Sequence, residues 1–85
     1  MKSVDTRLAE KLRVRLDAGT LPTTRPRFIW AWPGAGETCS ACDQPIAAGQ
    51  GMYEVDWNEK AYGFHPACYG LWRDELIRRG WYKSS

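Results

Sequence analysis

Apolar residues recur every fourth position at the start of the chain: Val4, Leu8, Leu12 and Leu16. That repeat keeps side chains on one helical face, so residues 4–18 are predicted to form an amphipathic helix. Ser3 is its predicted N-cap, Asp5 suits the first turn, and Gly19 offers a C-terminal stop. Arg7, Lys11 and Arg13 fall outside the apolar row, where plain solvation is the expectation. The pattern then changes. From Gly19 to Gly36 the chain reads GTLPTTRPRFIWAWPGAG, and Pro22, Pro26 and Pro33 exclude a continuous helix. Within it Phe28, Trp30 and Trp32 alternate with Arg27, Ile29 and Ala31. A two-residue period predicts an edge strand or an extended arm laid across a neighbouring core, with the aromatics favoured as core cover over an exposed stacking platform for bases or peptide.

A second alternation follows in MYEVDW, where Tyr53, Val55 and Trp57 oppose Met52, Glu54 and Asp56. One buried face is predicted, formed by the first set. Asn58-Glu59-Lys60 supplies a turn, and Ala61-Tyr62-Gly63-Phe64 returns as the partner strand. Pro66 then opens a second helix: its φ is preset, it has no N–H to leave unpaired, and it pushes His65 into an N-cap conformation. This helix is predicted to run from Pro66 to about Arg79, with Cys68, Leu71, Trp72 and Leu76 inward and Tyr69 and Ile77 flanking. Arg73, Asp74 and Arg78 lie outside, and Asp74 and Arg78 are spaced for an i, i+4 ion pair. Gly80 ends the helix and leaves Trp81 and Tyr82 to fold back over it. There is no internal repeat, and Lys83-Ser84-Ser85 is the one hint of low complexity.

Composition narrows the class. Eighty-five residues make one domain that buries a limited share of its surface, so a metal, disulfide or oligomer contact would help it. With 44% hydrophobic residues and five tryptophans, intrinsic disorder is excluded. The expected organisation is a helix and Pro/Trp arm, residues 1–38, packed on a module of residues 39–85. Lys2, Asp5, Arg7, Glu10 and Lys11 interrupt the start of the chain, so no signal-like or membrane-spanning apolar run is present there. A cytoplasmic protein with no membrane partner is expected. Net charge is +2, but residues 37–59 hold five acidic and no basic side chains between two basic flanks. That distribution is no strong footprint for nucleic acid.

Three cysteines are a poor disulfide framework, and a reducing compartment suits them better. Cys39 and Cys42 stand two residues apart, as do His65 and Cys68, giving C-x2-C-x22-H-x2-C. These four are all the cysteine and histidine the chain has. Two intervening residues let a tight turn, or a helix start, aim both side chains at one ion, and a structural Zn²⁺ takes four N or S donors. At the second pair, the helix N-terminus would also favour thiolate. A thioredoxin-like site would need Cys39 to open a helix in a βαβ setting, and iron–sulfur ligation more often uses four cysteines.

The segments CSACDQPI and FHPACYGLW, with a hairpin containing Tyr53 between them, resemble one zinc half of a LIM domain and, more broadly, a treble-clef zinc finger. The resemblance spans residues 39 to about 79. It implies an α+β fold in which a knuckle bears Cys39 and Cys42 and a helix start bears His65 and Cys68. A full LIM domain is excluded, because Leu71 stands where the next cysteine would be, and Asp43 occupies a knuckle position often held by glycine. The whole arrangement also resembles short bacterial zinc-binding proteins of unknown function.

Four ligands would close the coordination sphere, leaving no open position for catalysis. The deaminase pattern is missing as well, since no glutamate lies two residues after His65. The sequence therefore predicts no enzyme and one structural Zn²⁺. A protein-interaction or adaptor role, with Trp30, Trp32 and Trp81 as apolar anchors, is favoured. The alternative is nucleic-acid binding through Arg7, Lys11, Arg13, Arg73, Arg78 and Arg79.

Overall fold

The computed structural model describes residues 4–24, 26 and 28–82, with side chains from Arg7 onward. The expectations for Ser3, Arg27, Lys83-Ser84-Ser85 and the side chains of Val4 and Asp5 lie outside the described residues. The fold is α+β: helix α1 (Val4–Asp17), strands β1 (Phe28–Pro33), β2 (Gly51–Trp57) and β3 (Lys60–Phe64), and helix α2 (Pro66–Arg78). The strands form one antiparallel sheet in the order β1-β2-β3.

Both helices stop where glycine permits. Gly19 has φ 75°, Gly19 N–H donates to Leu16 O and Thr20 N–H to Arg15 O. Gly80 repeats the device with φ 77°, bonding Ile77 O while Trp81 N–H reaches Leu76 O. This pair of bonds satisfies carbonyls that the helix itself leaves open. At the other end of α2, Pro66 is the first helical residue and His65 stands at φ −59°, ψ 149°, outside the helical region. Asn58 and Glu59 connect β2 to β3 with φ values of 53° and 66°, a two-residue turn whose twist matches the strands it joins.

One hydrophobic cluster spans the molecule, with Leu12, Leu16, Leu21, Ile46, Val55, Phe64, Trp72 and Leu76 fully or almost fully buried. Trp72 stacks on Phe64 with ring centroids 5.5 Å apart, and its indole N–H donates to Pro22 O at 2.9 Å. A buried indole needs such an acceptor, and this one ties the Leu21-Pro22 segment across α2. Tyr82 meets Trp72 edge-on at 6.4 Å, so the chain after Gly80 does fold back.

Four expectations are corrected. The arm does form an edge strand, but it is not core cover: every residue of β1 is exposed, Trp32 by 49%. Met52 belongs to the core although it sits opposite Val55 in the pleat, because Ile46 and the loop before β2 cover that second face. A Cβ at Gly63 would stand 2.6 Å from Met52 Cε, so the methionine's terminal methyl lies over β3 where glycine leaves it room. On α2, Ile77 is exposed and Leu71 only half buried, while Glu75 is buried instead. Arg78 consequently pairs with Glu75, one turn back, and Asp74 lies beside Arg73.

Candidate metal centre

The first half of the site is a turn. Cys39 N–H bonds Gln44 O at 2.9 Å and Asp43 N–H returns to Cys39 O at 3.0 Å, closing a loop around Ser40, Ala41 and Cys42. An isolated bridge between Thr38 and Pro45 clamps its base, and Ser40 N–H donates to Gly63 O on β3. The turn requires a left-handed residue after Cys42, and Asp43 takes it with φ 65°. Aspartate tolerates that conformation better than most residues, so the turn closes without glycine.

The second half is the start of α2. Tyr69 N–H makes the first helical bond to His65 O, placing His65 at the N-cap and Cys68 at the third helical position, both facing the turn. The four predicted residues come together: the ligand atoms of Cys39, Cys42, His65 and Cys68 all lie within 4.8 Å of one another. His65 Nδ1 is 3.4 Å from Cys42 Sγ and 3.8 Å from Cys68 Sγ. Donors at about 2.3 Å (S) and 2.0–2.1 Å (N) around a tetrahedral ion stand about 3.6 Å apart, so these distances fit a single ion. Cys39 and Cys68 are buried, whereas Cys42 and His65 are partly exposed.

The tautomer of His65 follows from its outer contact. Nε2 lies 3.2 Å from Pro45 O, a carbonyl that can only accept, so Nε2 carries the hydrogen and Nδ1 keeps a free lone pair aimed at the sulfurs. An outer hydrogen bond of this kind orients a metal-ligating imidazole. The same proximity shifts the thiols. A hydrogen bond from Cys68 draws the Cys39 thiol down to about 4, against its burial. The same bond raises the Cys68 thiol far above its ordinary range, aided by burial and the charge on Cys39, while burial above all raises Cys42. Thiolates this close repel one another, and a bound cation would favour ionisation of all three.

Sequence reasoning missed what holds the turn from outside. Lys11 Nζ donates to Cys42 O at 3.3 Å and lies 3.0 Å from the Asp43 carboxylate. Arg15 donates to Ser40 O at 2.8 Å and pairs with Asp43 as well. Helix α1 thus places two cations over the backbone carbonyls of the ligand turn, and their pull holds the Asp43 carboxyl below its usual value. The available signal was the i, i+4 spacing of Lys11 and Arg15. Simple solvation is corrected for Lys11 and also for Arg13, which lies 3.9 Å from buried Glu75. Among the described residues, no helix is long and apolar enough to cross a membrane. No family model, curated protein or solved structure matches the chain.

Proposed function

We propose that the chain is a small structural-zinc protein whose metal holds a protein-interaction surface in place. The observation that carries the metal half is the closed donor set of Cys39, Cys42, His65 and Cys68, with Nδ1 of His65 presented by its bond to Pro45. Three thiolates and one imidazole suit Zn²⁺ in its structural, four-coordinate form. No donor position is left for water or substrate in such a sphere, which favours a structural over a catalytic ion. The order of knuckle, hairpin and ligand-bearing helix start supports the likeness to a treble clef and to half of a LIM domain. Three thiolates and Zn²⁺ leave a formal charge of −1, which Lys11 and Arg15 offset from α1.

The interaction half rests on β1. Phe28, Ile29, Trp30 and Trp32 are exposed, and Trp32 borders an open groove of about 420 Å³ with Met52, Tyr53 and Pro66. Pro66 adjoins His65, so the groove wall and the metal site share one short segment. Contiguous apolar surface of this kind marks binding sites. The nucleic-acid alternative has less support, since Lys11, Arg13, Arg73 and Arg79 are engaged with carboxylates of the chain.

Metal content tests the first half. Native mass spectrometry of protein purified without added metal is expected to show one zinc per chain, lost together with the near-UV signal of the tryptophans on chelation. A verified metal-free sample with an unchanged near-UV spectrum would overturn it. Affinity capture from the native cell, with and without chelator, tests the second half. A protein partner lost on chelation is expected, whereas a salt-sensitive shift of labelled DNA or RNA would favour the alternative.

A further inference from the structure

The free edge of β1 is unguarded. Edge strands are ordinarily blunted by charge, proline or a bulge, yet Phe28–Pro33 contains no charged residue and its proline stands last. The ladder shows which groups remain open. Gly34 N–H donates to Gln50 O, continuing the register in which Trp32 faces Met52, Trp30 faces Glu54 and Phe28 faces Asp56. Backbone direction alternates along a strand, so the N–H and C=O groups of Phe28, Trp30 and Trp32 point toward β2. Those of Ile29 and Ala31 point outward, and among the described residues no strand receives them.

We propose that the occupant of this edge is a second copy of the chain, paired antiparallel through β1 about a two-fold axis at Trp30. The inference rests on the interaction-surface reading above and names its partner. In this register Ile29 of each copy exchanges two backbone hydrogen bonds with Ala31 of the other, four in all. Trp30 then faces its own counterpart across a non-hydrogen-bonded pair, and Phe28 faces Trp32 on either side. Such pairs bring side chains closest, which suits aromatic contacts. Pro33 has no N–H to give the next pair, so the ladder stops there. A two-fold interface must be self-complementary, and an uncharged strand avoids like-charge repulsion at its centre.

The exposed area sets an upper limit that suits a weak, reversible dimer. Phe28, Ile29, Trp30 and Trp32 are 54%, 42%, 38% and 49% exposed. At about 200 Å² per side chain they present roughly 370 Å² per copy, near half of the roughly 800 Å² that a standard stable interface buries on each partner. Backbone, Ala31 and Pro33 add to this, which places the contact among weak, transient interfaces.

Sedimentation equilibrium of metal-loaded protein from about 1 µM to 1 mM tests the proposal. The expected result is a concentration-dependent rise from 9.7 kDa to twice that mass. Ala31→Pro removes an outward N–H that β2 does not use, and Trp30→Lys sets two ammonium groups face to face on the axis. Each is expected to weaken dimerisation at least tenfold while keeping zinc and the far-UV circular dichroism spectrum. Mixing Trp30→Lys with Trp30→Glu is expected to restore a heterodimer. A wild type monomeric at the highest concentration overturns the second copy as occupant, as does a dimer indifferent to both variants. If a monomeric wild type captures a partner that Trp30→Lys loses, the interaction-surface reading survives; if capture ignores Trp30, both readings fall.

Discussion

The two halves of the molecule are held by different means. Around Cys39, Cys42, His65 and Cys68 the chain is irregular: a short turn, a bridge between Thr38 and Pro45, and a helix start with no side-chain cap. Where α1 meets α2 the packing is ordinary, with Leu12, Leu16 and Leu21 in one cluster with Trp72 and Leu76. Carboxylates fasten both regions to α1. Asp43 receives Lys11 and Arg15 at the ligand turn, while buried Glu75 receives Arg13, Arg78 and Arg79. The comparison separates what a metal must do from what hydrocarbon can do. Donors brought within 4.8 Å could be bound together by one cation, whereas the leucine and tryptophan side needs only volume.

The largest effect should follow from loss of the ion. Metal binding in small zinc domains is worth about 10–16 kcal/mol at neutral pH, at least as much as the whole stability of a domain this size. Since α2 begins at the site and ends in the packed core, chelation or Cys68→Ser is expected to unfold both halves together. Near-UV and far-UV circular dichroism read this directly. A metal-free protein that kept only part of its near-UV spectrum, the Trp72 contribution included, would show that the packed half folds alone. Trp72→Ala attacks that half instead, removing a fully buried ring and the donor to Pro22 O. A loss of about 3–5 kcal/mol is expected in urea unfolding of the zinc form, with zinc stoichiometry unchanged.

These halves were unequally legible in the sequence. The ligand set could be read because it exhausts the cysteines and histidine, and because Pro66 marks where a helix must start. The helix ends were equally plain, since Gly19 and Gly80 sit where the apolar repeats stop. Periodicity identifies β1 as a strand but cannot say which side of an edge meets solvent, so core cover is favoured there while an exposed platform stays open. Met52 was misplaced for a related reason: its face is buried by Ile46, a residue outside the sheet. The carboxylate anchors were hidden by distance along the chain. Asp43 meets Arg15 across 28 residues and Asp17 meets Arg79 across 62, and no local pattern encodes such pairs.

A smaller effect tests the anchoring of the packed half. Hydrogen bonds, first from Arg78 and then from Arg79, hold the Glu75 carboxyl below its ordinary 4.5 despite burial. The unfolded chain therefore takes up this proton more readily. The contribution is complete above about pH 4.5 and fades as pH falls through the lower folded value. Glu75→Gln is expected to cost about 1–2 kcal/mol at pH 7, because Arg78 lies mostly in water and its share is screened. The gap to wild type should narrow below pH 4.5. Acid also threatens the thiolate site, but it does so in both proteins, so the difference between them isolates Glu75. A gap that stays constant as the pH falls would show that packing, not charge, makes Glu75 matter.

The smallest effect lies in the metal half and has the opposite sign. The turn from β2 to β3 holds Asn58 and Glu59 at positive φ, and only the first is a residue type that tolerates it well. Glycine is the favoured partner after asparagine in such a turn, and a left-handed non-glycine residue costs about 1–2 kcal/mol. The Glu59 side chain is exposed, and no described ion pair involves it. Glu59→Gly is therefore expected to raise the stability of the zinc form by about 1 kcal/mol, after allowing for glycine's greater freedom in the unfolded chain. Urea midpoints measure it. The gain should leave zinc affinity almost unchanged if the hairpin is fully formed before the ion binds. If instead zinc organises the hairpin, the substitution should tighten zinc binding by up to about fivefold, the equivalent of 1 kcal/mol. Competition against a chelator of known affinity distinguishes the two, and so decides whether the sheet or the ion orders this half first.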